Sequence, residues 1–157
     1  MAETKFYLTK KGLERIKQEH QSLLEFKKLK TKGEVPALWH SEEVNPDYLA
    51  FQEDMSLLEA KLAEQEYILK HAELIIPSKG AASQVALGVT VTLEETDGAL
   101  NEYTLLGTLE ANPSEGKISS ESPVGRALLG KRTGEEVIIS SPIRVVYRIK
   151  KIRYLNF

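Results

Sequence analysis

A run of residues at helical spacing constrains the fold of this chain more than any other feature. Between residues 47 and 73, the seam positions recur in steps of three and four at Met55, Leu58, Leu62, Gln65, Leu69 and Ala72. This spacing predicts a helix with a narrow apolar seam of the coiled-coil type. A helix of about 27 residues is roughly 40 Å long. Such a rod cannot bury its seam against itself, so a second helix must pack against it.

The residues that precede this stretch supply the partner helix. They place four apolar side chains on one helical stripe, at Leu13, Ile16, Leu23 and Leu24. Thr9 precedes the stripe and is predicted to cap the helix by accepting a backbone N–H. His20 lies on the stripe, where we expect a hydrogen-bonded interface histidine rather than a ligand. Gly33 and Pro36 end the pattern, because Gly costs about 1 kcal/mol and Pro about 3 kcal/mol inside a helix.

The second helix has clear start signals. Asn45 suits the N-cap, Pro46 the first helical position, and Asp47 the positive end of the helix dipole. The short connection predicts that the two helices are antiparallel. Their charges favour this pairing, since residues 10–32 contain eight Lys or Arg against three Glu, whereas residues 47–73 contain two Lys against seven Asp or Glu.

A change of pattern after residue 76 marks a domain boundary. Ile75 and Ile76 are followed by Pro77 and Gly80, which end the helical segment. Beyond this point β-branched residues become frequent. The predicted strands cover residues 85–93, 103–109, 137–139 and 145–149, with turns at Asp97–Gly98 and Ser141–Pro142.

A short helix is predicted among these strands. Ser122 is its N-cap, Pro123 its first residue and Gly130 its C-terminal stop. We therefore predict an α+β protein, with an antiparallel coiled-coil hairpin in residues 1–76 and a small β-rich domain in residues 77–157.

Composition excludes several classes of function. The chain has no cysteine, so disulfides, thiolate metal sites and a cysteine nucleophile are all excluded. A formal net charge of -2 excludes a generally basic nucleic-acid coat protein. The N-terminus lacks the apolar core of a signal peptide, and no stretch approaches the roughly 20 apolar residues of a membrane span. We therefore expect a cytoplasmic protein that makes no contact with membranes.

Several stretches carry a family resemblance. Residues 116–131 are similar to the signature I-S-x-x-S-P-x-x-R/K-A-L-x-G-K, and residues 133–137 follow it as expected. Supporting matches lie at residues 8–12, 59–69 and 88–91. Together they make the chain resemble the GreA/GreB family of bacterial transcription elongation factors along nearly its whole length.

The resemblance implies a fold and a mode of action. Family members combine a coiled-coil hairpin with an FKBP-like C-terminal domain, which docks at the rim of the RNA polymerase secondary channel. The hairpin reaches towards the active centre, where its acidic tip helps to hold a second Mg²⁺ and a water. The polymerase then cuts backtracked nascent RNA. The chain is thus expected to be no enzyme itself and to have no cofactor of its own, because the Mg²⁺ is supplied at the polymerase active site.

The tip departs from the family pattern of approximately Asp-x-x-Glu-Asn-x-x-Tyr. Asn45 and Tyr48 match it, but the two acid positions are occupied by Ser41 and Val44. The nearby carboxylates that can replace them as Mg²⁺ ligands and catalytic groups are Glu42 and Glu43, with Asp47 as a third candidate. The alternative is that all three are solvated charges, in which case the protein occupies the channel without cleavage and competes with cleaving relatives.

Two further surfaces follow from the resemblance. Ser119, Ser122 and Pro123 in the signature are the candidate docking residues for the polymerase. A basic cluster in the first helix comprises Lys27, Lys28, Lys30 and Lys32. These lysines either contact RNA phosphates or pair with the acidic second helix, and the sequence leaves both explanations open.

Two other classes of function compete with this one. A peptidyl-prolyl isomerase needs a pocket lined with aromatic side chains, and the second half offers only Tyr103, Tyr147, Tyr154 and Phe157. A self-associating coiled-coil adaptor would use the seam to recruit a second copy, whereas we expect a monomer. Scattered histidines and the lack of a glycine-rich phosphate loop argue against self-contained catalysis.

Overall fold

The computed structural model describes residues 4–40, 42–76, 78–140 and 143–155. Two short 3₁₀ helices lie at Thr108–Glu110 and Pro113–Glu115. In chain order the other elements are β1 (Phe6–Leu8), α1 (Lys10–Lys32), β2 (Trp39–His40), β3 (Glu43–Val44), α2 (Pro46–Lys70), β4 (Ala72–Leu74), β5 (Val89–Glu95), β6 (Leu100–Leu106), β7 (Lys117–Ser119), α3 (Pro123–Leu128), β8 (Glu136–Ile139) and β9 (Val145–Tyr154). This mixture of helices and strands, with a helical N-terminal region and a β-sheet after it, confirms the prediction of an α+β protein.

The chain divides into two compact units. The helical unit comprises residues Leu13–His71, and the β-rich unit comprises Met1–Gly12 together with Ala72–Phe157. The prediction had placed residues 1–76 together in the hairpin. The difference arises because β1 pairs in parallel with β4, with Phe6 opposite Ala72 and Leu8 opposite Leu74. This pairing joins the two ends of the predicted hairpin segment to the second unit.

The helical unit is an antiparallel pair of helices. Ion pairs join Lys30 to Asp54 and Lys27 to Glu59, so residues later in α1 meet residues earlier in α2. The seam of α2 buries Leu58, Leu62, Gln65 and Ile68. Three of these were predicted, but the assignment of Ala72 to the helical seam was wrong, because α2 ends at Lys70 and Ala72 begins β4.

Local chemistry sets the helix ends as predicted. The Gly12 N–H donates to the Thr9 hydroxyl oxygen at 3.1 Å, which confirms the cap of α1. The Asn45 side-chain oxygen accepts the Asp47 N–H at 3.0 Å, and Pro46 is the first residue of α2. In α3, Ser122 caps the helix and Pro123 is its first residue.

The β-rich unit is built on a five-stranded sheet with the order β7-β6-β5-β9-β8. All its pairings are antiparallel except β6 with β7. One face of the sheet and α3 enclose an apolar core, whose fully buried members include Val89, Val91, Leu93, Leu128 and Ile149.

All four predicted strands differ from the structure in at least one boundary. The strand predicted over residues 137–139 is β8, which begins one residue earlier, at Glu136. The strand predicted over residues 85–93 begins at Val89, because Gly88 has a φ of 86° and ends the irregular segment before it. The strand predicted over 103–109 is β6, which ends at Leu106. β9 extends five residues beyond the predicted 145–149. The predicted turn at Ser141–Pro142 lies outside the described residues, as do Ser41, Pro77 and Phe157.

Candidate functional site

The connection between α1 and α2 folds into a small antiparallel ribbon. Trp39 in β2 pairs with Val44 in β3, and His40 pairs with Glu43. Asn45 holds this ribbon to the start of α2: its backbone N–H donates to the Leu38 carbonyl at 2.9 Å, and its side-chain amide donates to the Ala37 carbonyl at 2.9 Å. Strands of only two residues have no recognisable sequence pattern, and the second role of Asn45 was therefore missed.

The candidate carboxylates lie on and beside this ribbon. Glu42 is in the turn before β3, Glu43 is in β3, and Asp47 is in the first turn of α2. All three are exposed, and their side chains make no hydrogen bond or ion pair with any residue in the described part of the chain. Within the described part of the chain, all three carboxylates are therefore exposed and have no polar side-chain contact.

These carboxylates do not form a metal site by themselves. Among the side chains that the structure describes, no three His, Asp or Glu groups are placed to share one ion. Of the two family acid positions, Val44 offers no ligand and Ser41 lies outside the described residues. Since Mg²⁺ takes oxygen ligands and retains several waters, Glu42 and Glu43 fit the role of adding one or two ligands to an ion held elsewhere.

The basic cluster of α1 separates into two pairs. Lys30 lies 2.8 Å from Asp54 and 5.7 Å from the centre of the Phe26 ring, and Lys27 lies 3.6 Å from Glu59. Both therefore pair with the acidic second helix. Lys28 and Lys32 are exposed, and neither forms an ion pair with a described residue. Their i, i+4 spacing places them on one face of α1.

His20 does not have the satisfied interface position expected from its place on the stripe. Its Nε2 is 3.9 Å from a Glu66 carboxylate oxygen, and its Nδ1 is buried with no hydrogen-bond partner among the described residues. The Oε1 atom of Gln65 is in the same situation. Among the described residues, the helix interface thus holds two buried polar atoms that have no hydrogen-bond partner, whereas we expected a hydrogen-bonded His20.

The signature residues form a hydrogen-bonded corner between β7 and α3. The Ser122 hydroxyl donates to the Ser119 carbonyl at 2.6 Å and accepts the Gly125 N–H at 3.1 Å. Glycine is required at position 125, because a Cβ there would collide with the same Ser119 carbonyl. Pro123 is exposed on this corner, whereas Ser119 and Ser122 are half-buried. The structure thus brings the three candidate docking residues together.

The Ser119 side chain extends the corner towards the first 3₁₀ helix. Its hydroxyl oxygen accepts the Glu121 N–H at 3.1 Å and lies 3.2 Å from the Thr108 hydroxyl, which also donates to a Glu121 carboxylate oxygen. Sequence reasoning missed Thr108, because it lies outside the signature.

The tyrosines of the second half belong to the surroundings of the apolar core. Tyr103, Tyr147 and Tyr154 pack against the core, and Phe157 lies outside the described residues. A cleft of about 240 Å³ beside Tyr147 is lined by Glu94, Glu95, Thr96, Glu136, Val146, Tyr147 and Arg148. Burial raises the pKa of the Tyr147 phenol above its ordinary value of 10.0, and Tyr103 and Glu95 raise it further. Acidic side chains line this cleft, unlike the aromatic pocket of an isomerase.

Comparison with known proteins places the chain in a family. The family described as "Transcription elongation factor, GreA/GreB, C-term" matches residues 80–154, which include the whole signature corner. "Transcription elongation factor GreA" of Thermomicrobium roseum is 40% identical over 145 residues, which is 90% of this chain and 92% of that protein. The chain belongs to the GreA/GreB family. The protein of the same name from Chloroflexus aggregans is 32% identical, with 98% of this chain and all of that protein covered.

Solved structures of GreA/GreB proteins and their homologues are also similar to this chain. The crystal structure of GreA factor homolog 1 (Gfh1) of Thermus thermophilus is 28% identical, covers 95% of this chain and has a TM-score of 0.42. The elongation factor GreA/GreB of Nitrosomonas europaea is 23% identical, covers 96% of this chain and has a TM-score of 0.43.

Among the described residues, no helix combines the length and apolar character needed to cross a membrane.

Proposed function

We propose that this chain is a Gre-like elongation factor that binds RNA polymerase at its secondary channel and stimulates cleavage of backtracked nascent RNA. The observation that carries this proposal is the 40% identity to a GreA protein over 90% of the chain. The β-rich unit then serves as the FKBP-like docking domain and the helical pair as the coiled-coil arm. The chain acts as a monomer, in the cytoplasm where the polymerase works, and is not itself an enzyme.

Docking is assigned to the signature corner. Pro123 presents an exposed ring at the start of α3, and the hydrogen bonds of Ser119 and Ser122 fix the backbone on which it is held. A surface that is rigid before binding loses little conformational entropy when it meets its partner. This supports Ser119, Ser122 and Pro123 as one docking surface.

Catalytic assistance is assigned to the tip carboxylates. A second Mg²⁺ at the polymerase active centre would activate a water and stabilise charge on the reacting phosphate. Glu42 and Glu43, supported by Asp47, are the groups of this chain that would complete its ligand set. Their exposure supports this role, as does the absence of any ion pair between them and another described residue.

Contact with the nascent RNA is assigned to Lys28 and Lys32. Phosphate contacts need positive charge and carry no base recognition. Lys27 and Lys30 already pair with Glu59 and Asp54, so they offer less charge to RNA than Lys28 and Lys32, which form no ion pair with a described residue. Pairing with the acidic helix therefore fits Lys27 and Lys30, and contact with RNA phosphates fits Lys28 and Lys32.

The decisive experiment adds the protein to polymerase stalled on backtracked RNA in the presence of Mg²⁺ and measures the rate of RNA shortening. We expect faster shortening than with polymerase alone, and a loss of about tenfold or more in Glu42→Gln or Glu43→Gln. Glu34→Gln is the matched control, because Glu34 is an exposed carboxylate in the same connection. Equal rates for all three variants would show that Glu42 and Glu43 are not ligands.

One observation favours a second candidate, a channel-binding factor that does not stimulate cleavage. Val44 occupies a family acid position and pairs with Trp39 in the ribbon, and its apolar side chain offers no carboxylate there. This candidate predicts RNA shortening no faster than with polymerase alone. It also predicts that the protein slows cleavage by an added cleaving GreA, which the same assay measures.

A further inference from the structure

The Glu110 carboxylate, which belongs to the β-rich unit, helps to cap the N-terminus of α1. The Thr9 N–H donates to Glu110 Oε2 at 2.7 Å, and the Thr9 hydroxyl donates to Glu110 Oε1. The Thr9 oxygen in turn accepts the Gly12 N–H. Thr9 is only 5% exposed. A negative charge at this end of a helix is favourable, since the first backbone N–H groups have no partner within the helix.

Gly12 leaves the space that the Glu110 carboxylate occupies. Glycine is a poor helix former, yet it occupies the first turn of α1. A Cβ at Gly12 would collide with the Glu110 carboxyl group. The absence of a side chain at this position is therefore what allows Glu110 to reach Thr9.

Both partners of this contact are held within the β-rich unit. Leu8, the residue before Thr9, is fully buried in β1 and its carbonyl accepts the Ile75 N–H at 2.8 Å. Glu110 ends a 3₁₀ helix, and its N–H donates to the Gly107 carbonyl at 3.2 Å. Gly107 itself lies against the backbone of Tyr7, where a Cβ would collide. Thr9 is thus held through β1 and Glu110 through its 3₁₀ helix, and together these contacts set the position of one relative to the other.

We propose that Glu110 is a positioning residue that anchors the first turn of α1 in the β-rich unit. α1 runs without interruption from Lys10 to Lys32, so the helix that carries the arm begins at this anchor. The proposal rests on the proposed function, in which the tip carboxylates act only while the arm is held by the docked unit. Glu110 acts through the helix and touches no reacting group.

The first test examines the free protein by amide hydrogen exchange. In Glu110→Ala we expect exchange of the Thr9 and Gly12 amides to accelerate by at least about tenfold, with the strands of the sheet unchanged. Glu110→Gln keeps an oxygen that accepts the Thr9 N–H and should restore part of the protection. Glu115→Ala is the control, because Glu115 is exposed and its side chain forms an ion pair with Lys117 instead of a contact with Thr9. Unchanged exchange at Thr9 and Gly12 in Glu110→Ala would overturn the anchor.

A double-mutant cycle tests the fit between Gly12 and Glu110. Gly12→Ala should lower the midpoint of urea unfolding in the wild-type background, because the new methyl group displaces the carboxylate. In the Glu110→Ala background the same change should be harmless, since the space is empty and Ala favours a helix. An equal effect in both backgrounds would contradict the geometry.

The functional test separates positioning from docking. In the RNA-cleavage assay, Glu110→Ala should lower the maximal rate at saturating protein by at least about tenfold, with little change in the half-saturating concentration, since Ser119, Ser122 and Pro123 are untouched. Glu110→Gln should recover part of the rate. A wild-type rate in Glu110→Ala, despite lost amide protection, would overturn the positioning role. If the wild-type chain stimulates no cleavage, the proposed function and the positioning role both fail, whereas the exchange result still decides the anchor.

Discussion

Replacing Gln65 by Leu should stabilise the helical pair. Gln65 is 6% exposed, and its Oε1 atom has no hydrogen-bond partner in the described part of the chain. An unpaired buried polar atom costs about 1–3 kcal/mol. Its neighbours along the seam, Leu62 and Ile68, are buried and apolar. Leu has a similar volume and helix propensity, so the substitution removes the penalty without a new helical cost.

The expected gain in the free energy of unfolding is about 1–2 kcal/mol, since part of the penalty is offset by imperfect packing of the branched side chain. Urea unfolding followed by circular dichroism at 222 nm measures it as a higher midpoint at an unchanged slope. Gln52→Leu is the matched control. It makes the same chemical change in α2 at an exposed position and should change stability by less than about 0.5 kcal/mol.

A loss of stability in Gln65→Leu would refute this reasoning. It would show that the amide makes a hydrogen bond worth more than the apolar contact, for example through a buried water. Equal midpoints for Gln65→Leu and Gln52→Leu would refute it as well, because the penalty is assigned to burial.

Three further predictions concern packing, capping and pH. Leu62→Ala should lower the free energy of unfolding in urea by about 2–5 kcal/mol, because Leu62 is buried. Leu57→Ala should lower it much less, because Leu57 is 65% exposed. Ser122→Ala should cost about 1 kcal/mol in the same assay because it removes the cap of α3, whereas the exposed Ser83→Ala should be nearly neutral. The raised pKa of Tyr147 stabilises the folded protein below pH 10, and this contribution is lost as pH rises above 10 through the folded pKa. Tyr147→Phe should therefore lose less stability between pH 9 and pH 11 in thermal unfolding, and an identical loss would contradict the assignment.

The helix ends were predictable because their causes lie within a few residues of each other. Thr9, Asn45 and Ser122 each accept an N–H two or three residues later, and Pro46 and Pro123 occupy first positions where a missing N–H costs nothing. The seam of α2 was predictable for a related reason, since its period is a property of one continuous segment. Its end was misplaced at Ala72 because pairing with β1, far away in sequence, determines the conformation there.

The parts of the candidate site that the sequence did not reveal depend on contacts across long separations. Glu110 and Thr9 are 101 residues apart, and neither belongs to a pattern that points to the other. Gly12 was visible in the sequence, but its reason appears only when the Glu110 carboxylate is seen beside it. The sequence also did not reveal which lysines of α1 form ion pairs. Lys27 and Lys30 do so because Glu59 and Asp54 lie opposite them in α2, and this depends on the packing of the two helices.

The opposite charges of the two helices contribute less to the pair than their number suggests. The exposed pairs Lys27–Glu59 and Lys30–Asp54 are each worth about 0.2–1 kcal/mol, and salt weakens them. Most of the stability must therefore come from the few buried apolar residues of the seam. The buried atoms of His20 and Gln65 that have no hydrogen-bond partner among the described residues are costly for this reason. Lys28 and Lys32 form no ion pair with a described residue, so the known pairing of the helices does not use their positive charge. In the proposed function, that charge contacts the phosphate backbone of the nascent RNA.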